Sequence, residues 1–362
     1  MRVNTLAVSG FRNLSSQEID LSYGVNILCG NNAQGKTNFL EAIYFLAMGR
    51  SVRSDNNREL INFGQDTAHI KADIQRDNIC FTVRARLQLI NNKSTKSLFV
   101  DGIPVKNTRE LFGRVLVVLF SPEDLRLVKA GPEHRRKFID MELCQISKVY
   151  YVNLREYYKA LKQRNHLLKA IKNNKGDTGS IFIWDNQLVL SGVRIMKERE
   201  SFVDKMSKIA CKIHHNITSG EELSLVYKPS IKNPDDYMEI MEKSQKRDIT
   251  MGSTSFGVHK DDVHFYVGGI SARRFGSQGQ QRTAALCAKL AEIEIIRQTT
   301  NTTPILLLDD VLSELDARRQ SCLLSQITDM QTIITCTGIE DVISKSMRDY
   351  MVMNVDGGSI SK

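Results

Sequence analysis

Eight residues, Gly30-Asn31-Asn32-Ala33-Gln34-Gly35-Lys36-Thr37, match the pattern GxxxxGK[ST] in full. Glycines in such a loop let backbone N–H groups turn inward around phosphate oxygens. Lys36 supplies a positive charge for β- and γ-phosphates, and the Thr37 hydroxyl suits Mg²⁺. The loop follows the apolar run Val25-Asn26-Ile27-Leu28-Cys29 and precedes a segment of helical spacing, whose N-terminal dipole favours an anion. A second run, Ile305-Leu306-Leu307-Leu308-Asp309-Asp310, is four apolar residues ending in two acids. It reads as a buried strand that delivers carboxylates at its carboxyl end. Asp309 would hold Mg²⁺ opposite Thr37, and Asp310 would point at the attacking water. Alone, the acids read equally well as a strand followed by a capped helix; in the company of Lys36 they are the second half of a nucleotide site.

Between these motifs lies Phe275-Gly276-Ser277-Gln278-Gly279-Gln280-Gln281-Arg282, with Leu286, Leu290 and Ile293 after it on one helix face. Ser277-Gln278-Gly279-Gln280 resembles the signature sequence of ABC-type ATPases, and Val311-Leu312-Ser313-Glu314-Leu315-Asp316 resembles their D-loop. The resemblance implies ATP with Mg²⁺ as cofactors. It also implies that Ser277, Gly279 and Gln280 approach the γ-phosphate held by another subunit, through free N–H groups, a helix dipole and a hydroxyl. One chain then cannot complete a site, and ATP would join two chains head to tail.

Further segments are similar to the RecF family in its own order. They are Gly10-Phe11-Arg12-Asn13-Leu14, Asn32 to Ala42, Phe120 to Leu125, Arg135-Arg136-Lys137-Phe138-Ile139-Asp140 and His259-Lys260-Asp261-Asp262. The resemblance implies a cytoplasmic bacterial protein of recombinational repair that binds single- and double-stranded DNA, gap junctions included. It implies an ATP-dependent homodimer with weak, DNA-dependent ATP hydrolysis. It implies work with RecR and RecO to load RecA at single-strand gaps, in support of replication restart and the SOS response. Within it, Arg12 would reach a phosphate.

Departures from the ABC pattern point to slow turnover. Ser121-Pro122-Glu123 stands where many such enzymes carry a glutamine. Asp310 is one methylene shorter than the usual catalytic glutamate, and Thr335-Cys336-Thr337 occupies the place of a histidine. A transporter ATPase would show that glutamine and histidine and pair with a membrane subunit. A chromosome protein of the SMC type would need far longer heptad helices. A small-molecule kinase would not need the Ser277 motif.

The elements that must position these residues form an α/β fold: an ABC-type P-loop ATPase head built from both ends of the chain, residues 1–130 and 250–362. A mainly helical insertion spans residues 131–249. Strand texture runs through Ala68–Ile74, Ile79–Leu89, Ser97–Val100 and Val115–Phe120. In the insertion, one apolar stripe runs from Tyr150 to Ile171 and a second from Trp184 to Ile213, with a turn over 173–180. The two stripes predict a helical hairpin whose apolar faces are core.

The 362 residues carry 50 basic and 41 acidic side chains, a net charge of +9. Residues 131–175 hold eleven Lys/Arg against four acids, so +7 of the +9 lies there. Arg155, Lys159 and Lys162 share one helix face, and with Arg135 and Arg136 they are the candidate DNA contacts; Arg50, Arg53 and Arg58 are candidate additions. Nothing among them reads bases, so the expectation is sequence-independent, salt-sensitive binding to phosphates. No run approaches the ~18 apolar residues that span a bilayer. Seven unpaired-looking cysteines suit a reducing compartment. His259, Asp261 and Asp262 read as a structural polar cluster or, with no second histidine at ligand spacing, a poor metal site.

Overall fold

The computed structural model describes residues 1–91, 93–218, 220–327, 329–338 and 350–362. Their contacts divide into two units, residues 1–125 with 289–362, and residues 126–288. Along the first part of the chain run β1 (Arg2–Ser9), β2 (Gln17–Asp20), β3 (Val25–Cys29) and α1 (Lys36–Met48), then β4 (Thr67–Arg76), β5 (Ile79–Ile90), β6 (Lys93–Val100), β7 (Ile103–Pro104) and β8 (Val117–Phe120). The middle holds α2 (Pro132–Ile146), α3 (Lys148–Lys172), α4 (Ile181–Thr218), β9 (Leu223–Lys228), α5 (Tyr237–Met251), β10 (Asp262–Val267), β11 (Ile270–Ser271), α6 (Ala272–Phe275) and α7 (Gln278–Thr300). The chain ends with β12 (Ile305–Asp309), α8 (Ala317–Gln326), β13 (Thr332–Cys336), β14 (Tyr350–Asp356) and β15 (Ser359–Ser361).

The described residues of the first unit form two sheets. One has the order β15-β14-β3-β13-β12-β8, with β14, β3, β13, β12 and β8 all parallel. Every residue of β3 and of β13 is buried. Burial on both faces is why these strands read as continuous apolar runs rather than as alternation. The other sheet, β2-β1-β4-β5-β6-β7, is antiparallel, and β4 and β5 alternate in burial as one-faced strands do.

In the second unit the two apolar stripes become α3 and α4. Tyr157, Leu161 and Leu168 on one, and Leu188, Ile195 and Phe202 on the other, are buried. The boundaries of this unit differ from 131 and 249. β10 pairs with β9 through Val263↔Tyr227 to Val267↔Leu223, and β11 pairs with β10. Main-chain hydrogen bonds thus tie β10 and β11 to β9, and the contacts of residues 250–288, the Ser277 motif included, fall in the second unit. The unit also contains a three-stranded sheet beside its helices.

Three arginines are buried in this unit. Arg164 donates to Asp185 (2.5 Å), Asp248 (2.6 Å) and Thr254 (2.9 Å). Arg199 donates to Asp140 (2.8 Å), Asp261 (3.2 Å) and the Val258 carbonyl (2.7 Å). Arg135 forks onto Asp262 at 2.6 and 3.0 Å. A buried charge is tolerated only with such partners. Burial still pushes the Asp185 carboxyl up, against the pull of Arg164.

His259 belongs to the same cluster. Tyr157 Oη stands 2.8 Å from its Nδ1, and its Nε2 lies 3.2 Å from the Thr254 carbonyl. A ring protonated at Nε2 satisfies both contacts. Burial lowers the His259 pKa from its ordinary 6.5 to about 4. The unfolded chain then binds this proton more readily than the folded one, so stability is unaffected above pH 6.5 and falls as pH drops from 6.5 towards 4. The loss should approach ~3 kcal/mol. Urea unfolding across that range should show it in the wild type, and His259→Gln should remove that part of the slope.

Candidate nucleotide site

The phosphate loop follows β3 directly and closes on α1. Ala33 (φ 65°) and Gly35 (φ 114°) hold left-handed backbone, which turns successive N–H groups towards one centre. Gly35 also has no room for a side chain, because a Cβ there would lie 2.9 Å from Asn13 Oδ1. Lys36 is buried, with its ammonium donating to the carbonyls of Gly30 and, at 3.1 Å, Asn31. The cation thus lies folded over its own loop, where phosphate oxygens would give it stronger partners.

Asp309 comes to this loop through strand register. It pairs with Thr335 on β13, and Thr335 pairs with Leu28 on β3. Thr37 Oγ1 donates to Asp309 Oδ1 at 2.8 Å, and Thr335 Oγ1 donates to the same oxygen at 2.9 Å. A hydroxyl and a carboxylate in contact at the first turn of a helix are oxygen donors of the kind Mg²⁺ takes, so the residues fit that ion. Asp310 has φ 51°, a strained backbone for a residue with a side chain. Its N–H donates to Thr335 Oγ1 at 2.9 Å, and its carboxylate lies 3.3 Å from Ser313 Oγ.

Arg12 lines the same cavity, about 800 Å³ in volume, as the loop, Asp309, Asp310 and Thr335. It does not stand free. Its guanidinium forks onto buried Glu41 of α1 at 3.0 Å on both arms. Arg53 and Ser51 also donate to Glu41. Burial opposes the Glu41 charge, but hydrogen bonds from Arg12, Arg53 and Ser51 outweigh it and hold the carboxyl below its ordinary range. Arg53 and Arg58 line this cavity too.

Sequence reasoning missed several residues here. Thr335 was visible only as the absence of a histidine; strand register makes it the clasp between Asp309 and Asp310. Asn13 Nδ2 donates to the Ala33 carbonyl at 3.3 Å, and its Oδ1 accepts from Asn38 at 2.6 Å. The β14–β15 turn grips the loop from the far end of the chain. Gly357 N donates to Gln34 Oε1 at 2.6 Å, and Gly358 N donates to the Gln34 carbonyl at 2.9 Å. No local pattern marks a contact spanning over three hundred residues.

In the second unit, Ser277 and Gln280 bind each other reciprocally at the start of α7. Gln280 N donates to Ser277 Oγ at 3.2 Å, and Ser277 N donates to Gln280 Oε1 at 3.0 Å. This is a capping box, which satisfies two N–H groups the helix leaves open. Ser277 is exposed, Gly279 follows within the first turn, and the hydroxyl still has its own proton to donate. Asp316 likewise caps α8 through Arg319 N at 3.0 Å.

The candidate DNA contacts separate. Arg155, Lys159 and Lys162 are exposed on α3. Arg135 is 2% exposed and bound to Asp262, so it is not part of a phosphate-facing surface. Arg136 is half-buried and donates to the Asp261 carbonyl at 2.7 Å. The sequence reading counted charges, whereas the fold commits Arg135 to an internal acid.

Known proteins bear on this arrangement. The model of the RecF/RecN/SMC N terminal domain matches residues 2–361. The chain is 45% identical to the DNA replication and repair protein RecF of Lachnoclostridium phytofermentans, over 100% of both chains. It is 43% identical to that of Lachnospira eligens, over 99% of both. The chain belongs to the RecF family. Among solved structures, the recombination mediator protein RecF with ATP, of the RecFOR pathway, is 34% identical with a TM-score of 0.92, covering 99% of this chain and 97% of that one. An Smc head bound to the C-winged helix domain of ScpA has a TM-score of 0.57 at 15% identity, covering 100% of this chain and 96% of that one, and so shares the fold. RecF-family membership thus agrees with an ATPase-head α/β fold made from both chain ends.

The RecF-type loop and its C-terminal clamp give a direct test. A Cβ at Gly358 (φ +85°) would stand 1.9 Å from the Asn13 carbonyl oxygen, whereas one at Gly357 meets nothing within 4 Å. Both glycines have positive φ, worth roughly 1–3 kcal/mol of strain for alanine. Gly358→Ala should therefore lower the thermal midpoint clearly more than Gly357→Ala, measured side by side by calorimetry.

Proposed function

We propose that this RecF-family chain binds ATP with Mg²⁺ and uses it to pair two copies head to tail around DNA. The observation that carries the reading is the phosphate loop with Thr37 and Asp309 in contact below it, 2.8 Å apart. The RecF structure that holds ATP supports it through likeness over almost the whole chain. Lys36 and the loop N–H groups would hold the phosphates, and Thr37 with Asp309 would hold Mg²⁺. The metal would supply charge neutralisation on the phosphates. Arg12 acts on the site through Glu41, as its fork onto that carboxylate supports.

Ser277, Gly279 and Gln280 would cover the γ-phosphate of a second copy, with the exposed amino end of α7 as the anion-binding face. Asp310 would orient the attacking water. Its short side chain, its contact with Ser313 and the lack of glutamine at Ser121-Pro122-Glu123 favour slow hydrolysis, a timer on the closed state. Pairing would bring two sets of Arg155, Lys159 and Lys162 to one duplex or single strand. Within the pathway of its relatives, the chain would act with RecR and RecO at gapped DNA to help load RecA, in the cytoplasm. Among the described residues no helix is long and apolar enough to cross a membrane.

Two measurements test this. By size-exclusion chromatography, the wild type should dimerise with ATP, while Lys36→Ala and Ser277→Ala should stay at their ATP-free size. Unchanged dimerisation of the Ser277 variant, or fast hydrolysis by a monomer, would count against a shared site. DNA affinity should fall steeply from 50 to 200 mM salt, and Lys159→Glu with Lys162→Glu should flatten that slope by about two phosphate contacts.

A further inference from the structure

Phe63 is the most exposed large apolar side chain among the described residues, with its whole surface in water. It nevertheless sits on a fixed turn. Ile61 bridges to Phe11, Asn62 N donates to the Gly10 carbonyl at 2.8 Å, and Gln65 N donates to the Asn62 carbonyl at 3.1 Å. Gly64, at φ +79°, completes the turn. The strand partner of this turn is the segment that carries Arg12, whose N–H donates to the Leu60 carbonyl at 2.8 Å. The turn thereby brings Phe63 to the lining of the cavity that Lys36, Thr37 and Asp309 also line, as do Ile61 and Leu89.

The lining of this cavity thus combines cations and loop N–H donors with an aromatic ring and two aliphatic side chains. A ligand that satisfies both needs a polyphosphate at one end and a flat apolar group at the other. We propose that Phe63 is the base-stacking residue of the nucleotide site, taking the face of a purine whose phosphates lie on the 30–37 loop. The assignment rests on the ATP reading above and adds to it the residue that separates a nucleotide from a bare polyphosphate. Stacking of a base on an aromatic ring accounts for roughly a tenfold or greater share of affinity, and it tolerates changes at the base edge because every base has a π-face. A fully hydrated phenyl ring has no packing role to lose, so substitution there should leave the fold intact.

The experiment uses the full chain with Mg²⁺, and titrates ATP and inorganic triphosphate by calorimetry. Phe63→Ala should weaken ATP about tenfold and leave triphosphate unchanged. Phe63→Trp should keep ATP affinity, and its indole emission should be quenched by ATP and not by triphosphate. The native Trp184, on α4, provides the background and is measured in the wild type. Equal ATP affinity in Phe63→Ala, equal loss of both ligands, or an unquenched indole overturns the assignment. Wild type that binds neither ligand, or Lys36→Ala that binds both normally, overturns the nucleotide reading and the assignment with it; loss of both ligands in Lys36→Ala alone leaves them standing.

Discussion

A 2.8 Å hydrogen bond between Thr37 and Asp309 joins residues 272 positions apart. It forms only if β3 and β12 are parallel, with β13 alone between them and in one particular register. A slip of one residue would reverse the faces of every side chain on the strand and swap Asp309 with Asp310. The remaining features of the site depend on that register. Thr335 can bond both acids because it lies level with Asp309, and the Gly357–Gly358 turn reaches Gln34 because β14 takes the other side of β3. The sheet is built from chain ends that meet only on folding, which makes the phosphate loop a product of the whole first unit.

The second unit is organised by a different constraint. Its helices bury charge, and each buried arginine is held by acids from other elements. Arg164 of α3 meets Asp185 of α4 and Asp248 of α5; Arg199 of α4 meets Asp140 of α2. Leaving any one of these groups unpaired would cost several kcal/mol, so arrangements that separate the paired helices are disfavoured. The basic excess of this region is consequently divided between interior and surface. Arg135 and Arg164 serve the interior, while Arg155, Lys159 and Lys162 remain in water.

Local folding and ligand chemistry share residues at the helix ends. Ser277 and Gln280 close the capping box of α7, Asp316 caps α8, and Gly35 begins α1. A capped amino end still directs its remaining N–H groups and dipole outward. The arrangement that ends a helix well is therefore compatible with an anion at the same end, and a motif can be read in either sense without contradiction.

How much was legible in advance follows from the range of each interaction. The 30–37 loop, the acids at the carboxyl end of β12, the helical hairpin and the RecF resemblance were all readable, because glycine placement, apolar runs and helical periodicity are local properties of consecutive residues. The second-unit boundary at 288 was not, since it depends on β10 pairing with β9 across a helix. Nor was the burial of Arg135, the coupling of Arg12 to Glu41, the clasp at Thr335 or the place of Phe63 in the lining of the cavity that Lys36 also lines. An arginine, a threonine and a phenylalanine look the same in sequence whether solvated or enclosed. The sequence alone determined which chemical groups were present and which short elements carried them. Tertiary structure decided their partners, because burial and hydrogen bonding depend on neighbours that the chain brings together only by folding.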